Sequence, residues 1–157
     1  MGSPATEGAR LAEVFRVAPS FFAVFRGPNF IYEFVNEAYY GVVGRRELLG
    51  RSVFDVFPES RYQGFLDILR RVLHDGIPVV GHEVRIEIRS GVAGQPIERF
   101  VDLTYIPLTE PDGTRSGVVS HGSDVTALVR ARSEAERARA TLEQERTELE
   151  GRIAASD

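Results

Sequence analysis

Residues 25–53, FRGPNFIYEFVNEAYYGVVGRRELLGRSV, carry the strongest structural signal in the chain. Runs of β-branched and aromatic residues at 20–26 and 30–35 flank Gly-Pro-Asn at 27–29, which is typical turn chemistry for a β-hairpin. Glycines and a proline interrupt residues 36–60, so we expect several single-turn helices there instead of one long helix. The pattern predicts two strands followed by short helices that pack around a cavity.

Further helices and strands are predicted on both sides of this segment. Helical spacing of apolar residues predicts helices over 11–17 and 61–74, and Asp75-Gly76 is a stop signal for the second. Residues 1–10 are expected to form a disordered tail. Three β-rich runs then predict strands over 78–89, 97–108 and 116–125.

The composition changes at residue 126, from which point the chain contains no Pro and is rich in Ala, Arg, Glu and Leu. This predicts one long helix over 126–157. Its heptad pattern gives an apolar seam that weakens toward the end, which favours a two-stranded coiled coil connecting to an output domain outside this chain. The alternative is a solvated tail, because isolated helices depend on packing for most of their stability. The expected a positions, which would contact a second copy, are Leu128, Ala135, Leu142 and Leu149.

The composition also excludes classes of function. The 157 residues include no Cys, which excludes disulfides, thiolate metal sites and flavin–cysteinyl chemistry, and no Lys, which excludes a phosphate-binding loop ending in Lys. His74, His82 and His121 lack the spacing of metal ligands, so no metal site is expected. The net charge of −4 without charged blocks argues against a nucleic-acid partner. Because no apolar run could span a bilayer and no signal peptide is recognisable, we expect a cytoplasmic module without membrane contact.

Several short motifs occur in a characteristic order along the chain. They are Asn36-Glu37-Ala38, Leu48-Leu49-Gly50-Arg51, Phe54-Asp55-Val56-Phe57-Pro58, Asp75-Gly76, Pro107, Asp112-Gly113 and Asp124-Val125-Thr126. Together they resemble the PAS family, especially PAS domains that precede bacterial histidine kinases, over about residues 11–126. The resemblance implies an α+β fold with a five-stranded antiparallel sheet, a helical flank over one face, and a cavity between them. It assigns 11–125 to the PAS domain and 126–157 to a signalling helix.

Strand parity predicts the residues that line the cavity, since alternate side chains point to opposite faces of a sheet. The apolar face of the third strand is expected to point inward, and on the last strand the resemblance assigns the face carrying Gly122 to the cavity. The predicted ligand pocket comprises Tyr32, His82, Val84, Ile86, Val101, Leu103, Tyr105, Ser120 and Gly122.

The resemblance also suggests roles for the residues that join the last strand to the long helix, and it bears on which cofactors could bind. Asp124 is expected to cap the long helix, and with Thr126 to couple rearrangement of the core to that helix. Alignment with heme-binding members puts Tyr62 at the ligand position, yet a lone Tyr on a helix more often packs, so heme is disfavoured. The identity of any ligand is left open.

The resemblance further implies that the outer sheet face is covered by the N-terminal helix or by a second subunit. The expected dimer surface there comprises Phe15, Phe100, Ile106, Val119 and His121.

Three functions are considered for a chain with this sequence. The favoured one is a non-enzymatic sensor that binds a small ligand or partner and signals through a dimeric helix to an output such as a histidine kinase. The second is a ligand-free dimerisation adaptor with a Phe-packed interior. A ketosteroid-isomerase-like enzyme using Asp102 and Tyr105 is disfavoured, because these residues have opposite strand parity. The interior of the adaptor would contain Phe22, Phe34, Phe54, Phe57 and Phe65.

Overall fold

The computed structural model describes residues 4–89 and 95–156. For residues 4–6, 59–61 and 63 it describes the backbone alone. Most of the predicted loop at 90–96 and the first three residues of the predicted tail therefore lie outside the described residues. The elements are α1 (Pro4–Val17), β1 (Phe21–Arg26), β2 (Ile31–Val35), α2 (Glu37–Val43), α3 (Val53–Val56), α4 (Glu59–Asp75), β3 (Val79–Arg89), β4 (Pro96–Thr109), β5 (Arg115–Asp124) and α5 (Thr126–Ala155).

The five strands form one antiparallel sheet with the order β2-β1-β5-β4-β3. This confirms the predicted α+β fold. It places β1, β5 and β4 at the centre, and β3 and β2 at the edges. The chain forms two compact units: the first ends at Asp124 and the second begins at Val125.

The first helix is longer than predicted, because α1 begins at Pro4 where a tail was expected up to residue 10. The apolar spacing marks only the part of a helix that can pack. The preceding residues include alanines, which favour helix, and Glu7 in the first turn, where a negative charge favours the helix dipole.

Asn36 and Ser52 are the helix caps within the predicted segment of short helices. Asn36 caps α2 by accepting the backbone N–H of Tyr39 at 3.1 Å, and Ser52 caps α3 by accepting that of Phe54 at 3.2 Å. Both residue types favour this position because their side chains replace a missing helical acceptor. Gly44 ends α2 and Pro58 follows the end of α3, so both helices are short, as predicted.

The core lies between one face of the sheet and the helices α2, α3 and α4. Alternate residues of β1, Phe21, Ala23 and Phe25, are buried, as are Val101 and Leu103 of β4. The period of two in these strands confirms the parity that the sequence predicted for β4. Helix α4 contributes Leu66, Leu69 and Val72 at helical spacing.

The described part of α5 is a continuous helix of 30 residues. Its leucines at the predicted a positions are exposed, for example Leu142 at 66% and Leu128 at 62%. Within residues 4–89 and 95–156, no helix has both the length and the apolar character that crossing a membrane requires.

Candidate ligand-binding cavity

The buried side chain of Asn36 holds together three of the elements around the site. Its Oδ1 accepts the backbone N–H of Phe22 at 2.9 Å, in addition to that of Tyr39. Its Nδ2 donates to the carbonyls of Phe15 at 2.7 Å and Ser20 at 2.8 Å. One amide group therefore joins the end of α1, the start of β1 and the first turn of α2.

A cavity of about 90 Å³ lies between the sheet and the helical flank. The sheet supplies one wall and helices α2, α3 and α4 supply most of the other. Its surface is mainly apolar, with hydroxyl groups at a few points. The described lining residues are Phe21, Phe25, Tyr39, Val42, Val43, Val53, Phe57, Tyr62, Phe65, Leu66, Leu69, Ile86, Glu87, Ile88, Val101, Leu103, Tyr105 and Ser120.

Tyr105 and Ser120 form the polar part of the sheet wall. They are cross-strand partners on β4 and β5, and both are buried. Directly opposed residues in an antiparallel pair have Cβ atoms about 5 Å apart, so the two hydroxyl-bearing side chains are neighbours. Within the described residues, neither side-chain hydroxyl has a hydrogen-bond partner. Two hydroxyls on an apolar wall can thus bond a molecule inside the cavity.

A second pair of hydroxyls is already satisfied. The Tyr32 and Tyr39 hydroxyls lie 2.8 Å apart and share a hydrogen bond. Burial is the main cause that raises the pKa of Tyr32, and it raises the pKa of Tyr39 well above its ordinary value. Burial raises the pKa of Tyr105 as well. All three phenols are therefore neutral at physiological pH, and this interior disfavours negative charge.

The structure brings together five of the residues predicted for the pocket. Sheet parity succeeded for these five because the strands on which they lie have regular pairing around them. They are Ile86, Val101, Leu103, Tyr105 and Ser120.

The prediction for His82 is wrong. His82 and Glu83 together oppose the single residue Asp102, so β3 contains a bulge between Gly81 and Val84, and Glu83 has a φ of 49°. The extra residue reverses the parity before Val84, and the His82 side chain is 81% exposed. His82 consequently lies outside the cavity, with its Nδ1 3.9 Å from Asp102.

Three other predicted pocket residues are inward but are not among the lining residues. Tyr32 is buried and directs its hydroxyl to Tyr39, and Val84 packs against the edge of the core. At Gly122, a Cβ atom would lie 2.8 Å from Cζ of Phe21, so this ring fills the space in front of the glycine. Each position was assigned to the correct face, but a neighbour separates it from the cavity.

Sequence reasoning missed most of the helical wall. Tyr39, Val42 and Val43 of α2 and the α4 residues Leu66 and Leu69 line the cavity. Of these five positions, only Leu69 belongs to the helical spacing that predicted α4, and only the packing of the flank shows which residues reach the cavity. Tyr62 also lines the cavity, at a kink in α4, and its hydroxyl accepts the backbone N–H of Arg89 at 3.3 Å.

The outer face of the sheet carries a chain of aromatic contacts. The Phe15 ring stacks on Phe22 at 4.8 Å between centroids, and Phe22 stacks on His121 at 6.1 Å. Phe22 also meets Phe34 edge to face, so these two rings lie outside the interior in which the adaptor hypothesis placed them. The remaining residues of the predicted outer dimer surface are half-buried, namely Phe100, Ile106 and Val119.

Asp124 ends the last strand. Its Oδ2 lies 3.7 Å from Nε of Arg99, and the backbone N-cap position of α5 is Val125, one residue later than expected. Thr126 is the first residue of α5. The two predicted transmission residues thus flank the junction between strand and helix.

The arrangement of Asp102 also bears on the enzyme alternative. The Asp102 Oδ1 accepts the backbone N–H of Glu83 at 2.8 Å on the bulge, whereas Tyr105 faces the cavity. The two residues therefore do not share a site. Within the described ranges, no three His, Asp or Glu side chains are grouped so that they could hold a metal ion.

The antiparallel sheet, the short helices that cover one of its faces and the cavity between them define an α+β domain of the sensory type. The chain belongs to the PAS family: the family model described as the PAS fold matches residues 15–130.

Solved structures with the same fold include an RNA-binding light-oxygen-voltage receptor, with a TM-score of 0.64 and 19% identity over 92% of this chain and 40% of the receptor. VqmA of Vibrio cholerae in its complex with ligand and DNA has a TM-score of 0.58 and 20% identity, over 83% of this chain and 57% of VqmA. A PAS domain from Colwellia psychrerythraea has a TM-score of 0.60 and 10% identity, over 77% of this chain and 98% of that domain. The chain thus spans less than two thirds of the first two proteins, and identities this low show the fold alone.

Proposed function

We propose that this chain is a non-enzymatic sensory module that binds a small ligand in the cavity and transmits the change to an output domain, such as a histidine kinase, through a dimeric α5. The observation that carries the proposal is the pair of hydroxyls, Tyr105 and Ser120, on the cavity wall without partners among the described residues. A few polar groups on an otherwise apolar wall are what fixes the orientation of a bound molecule in most ligand pockets. A ligand with one polar group could bond either hydroxyl.

The route of transmission follows from the strand that carries Ser120. Ser120 lies four residues before Asp124 on β5, and Asp124 ends the strand. A ligand that pulls on Ser120 would therefore shift the strand end and its contact with Arg99, from which the chain continues through Val125 into Thr126. Such a shift would bias the pairing of two α5 helices between alternative arrangements.

A ligand-free dimerisation adaptor is the second candidate. It is favoured by the size of the cavity, since about 90 Å³ is smaller than the roughly 300 Å³ or more of most ligand pockets. The half-exposed aromatic groups on the outer face and the exposed leucines of α5 would serve either function.

Native mass spectrometry of the purified chain separates the two candidates. For a ligand sensor we expect a dimer that retains a discrete small-molecule mass, or that gains one when incubated with a metabolite extract. A dimer that never carries an added mass favours the adaptor. A monomer under all conditions contradicts the proposed pairing of α5.

Replacing Asp124 with Ala is expected to uncouple sensing from output. When α5 is joined in frame to a histidine kinase core, the Asp124→Ala chimera should lose most of the ligand-dependent change in autophosphorylation, because the strand end no longer contacts Arg99. The matched control is Asp55→Ala, which removes an exposed carboxylate on α3. Unchanged regulation in the Asp124→Ala chimera, with normal folding, would contradict the transmission route.

A further inference from the structure

Building on the proposed function, we infer that the cavity takes a small, electrically neutral molecule with about three or four non-hydrogen atoms and one polar group that bonds Tyr105 or Ser120. The inference rests on the volume of the cavity, on the chemistry of its wall, and on the position of its unpartnered hydroxyls. Each of these restricts the ligand independently.

The volume restricts the size. A cavity of about 90 Å³ would hold about three water molecules at their liquid volume of roughly 30 Å³ each. Engineered protein cavities that bind benzene are larger, at about 150 Å³. A flavin, a heme or a nucleotide cannot enter a space of this size without rearrangement of the core. The compatible molecules are short-chain alcohols, ketones, amides and similar compounds.

The wall restricts the charge. Among the described lining residues Glu87 alone is charged, and its carboxylate already accepts a hydrogen bond from Arg85 at 3.1 Å. The guanidinium of Arg46 lies 5.5 Å from the centroid of the lining residue Phe57, donates to the carbonyl of Arg89 and is not a lining group. Burial raises the pKa of the lining residue Tyr39 even though the charge of Arg46 acts to lower it, so this charge does not offset the cost of burying an anion. An anionic ligand would therefore lose more in hydration than it gains, and a cationic ligand would have to compete with Arg85 for Glu87.

The hydroxyls restrict the polar group and its position. Tyr39 is engaged with Tyr32 and Tyr62 with Arg89, which leaves Tyr105 and Ser120 as the wall hydroxyls without a described partner. Each hydroxyl can donate one hydrogen bond and accept others. Both residues lie on the cavity face of neighbouring strands, so a carbonyl or hydroxyl oxygen in the cavity can accept from one of them. The rest of the molecule would then contact the apolar side chains of α2 and α4.

Three probes of nearly equal shape, each with about four non-hydrogen atoms to match the volume of the cavity, test this inference: acetone, which is neutral and polar; acetate, which is anionic; and 2-methylpropene, which is apolar. We would titrate each into the full chain and follow backbone amide resonances by NMR. We expect the ketone to shift resonances around Tyr105 and Ser120, and acetate to bind at least about tenfold more weakly, because its charge is desolvated.

Two variants locate the contact. At least one of Tyr105→Phe and Ser120→Ala should weaken ketone binding by about three- to tenfold, the effect of one lost neutral hydrogen bond. Neither should weaken binding of 2-methylpropene, which serves as the internal control for the integrity of the cavity. Equal losses for the ketone and the hydrocarbon would show a structural effect and would overturn the assignment of the hydroxyls.

The outcomes separate this inference from the proposed function. Acetate binding as tightly as the ketone would overturn the neutral ligand class and leave a ligand sensor in place. Failure of all three probes to shift any cavity resonance would overturn the inference on size and polarity. A discrete adduct in native mass spectra would in that case still support the sensor, and its mass would give the size of the true ligand.

Discussion

Replacing Asn36 with Ala should destabilise the PAS domain by about 3–5 kcal/mol, because it removes the partners of several backbone groups at once. The Asn36 side chain is almost fully buried, at 1% exposure. It bonds the N–H groups of Phe22 and Tyr39 and the carbonyls of Phe15 and Ser20. A buried polar group left without a partner costs about 1–3 kcal/mol, and water entering the space would recover part of this.

Urea unfolding followed by circular dichroism would measure this loss as a lower transition midpoint with an unchanged slope. Asn29→Ala is the matched control, since Asn29 is exposed in the turn between β1 and β2, and its loss should change stability by less than about 0.5 kcal/mol. If Asn36→Ala lowers the free energy of unfolding by less than about 1 kcal/mol, the amide does not stabilise the contacts between α1, β1 and α2 as its hydrogen bonds indicate.

Replacing Gly122 with Ala is expected to cost more than about 3 kcal/mol, because the new methyl group has no space. Its Cβ would collide with the backbone carbonyl oxygen of Asp102 and would lie 2.8 Å from Cζ of Phe21. The carbonyl belongs to the neighbouring strand β4 and cannot move without breaking the pairing of β4 with β5. Overpacking next to a backbone group cannot be relieved by a change of rotamer.

Thermal unfolding would measure this effect, and Gly41→Ala is its control. A Cβ at Gly41 has no neighbour within 4 Å, and the residue lies in helix α2, so Ala there should stabilise the domain by up to about 1 kcal/mol. A Gly122→Ala variant as stable as the native chain would mean that the two central strands separate more easily than their register suggests.

The β3 bulge shows where prediction of the site from sequence reaches its limit. Alternation assigned Val84, Ile86 and Ile88 to the correct face, since the strand is regular from Val84 onward. The same alternation failed two residues earlier at His82, because a bulge depends on how the strand pairs with Asp102 on its neighbour. The outward position of His82 removes the one imidazole that the sequence placed in the pocket.

The tyrosines show the same distinction within the cavity. Tyr32 and Tyr105 both have inward parity, and the sequence could not tell their roles apart. The hydroxyl of Tyr39, on helix α2, is hydrogen-bonded to that of Tyr32. Tyr105 has no such partner among the described residues and lines the cavity. Which hydroxyl is available to a ligand is therefore a property of packing between α2 and the sheet.

The sequence by itself determined the order of the strands and helices along the chain, the glycine and proline positions that keep the helices of residues 36–60 short, and the buried face of the regular strands. These properties depend on residues close together in the chain, where periodicity and capping chemistry act locally. Only the tertiary structure decided the bulge at His82, the joint at Asn36, the helical wall and the size of the cavity. Each of these requires contacts between residues far apart in the chain, and spacing along the sequence does not encode which side chains meet.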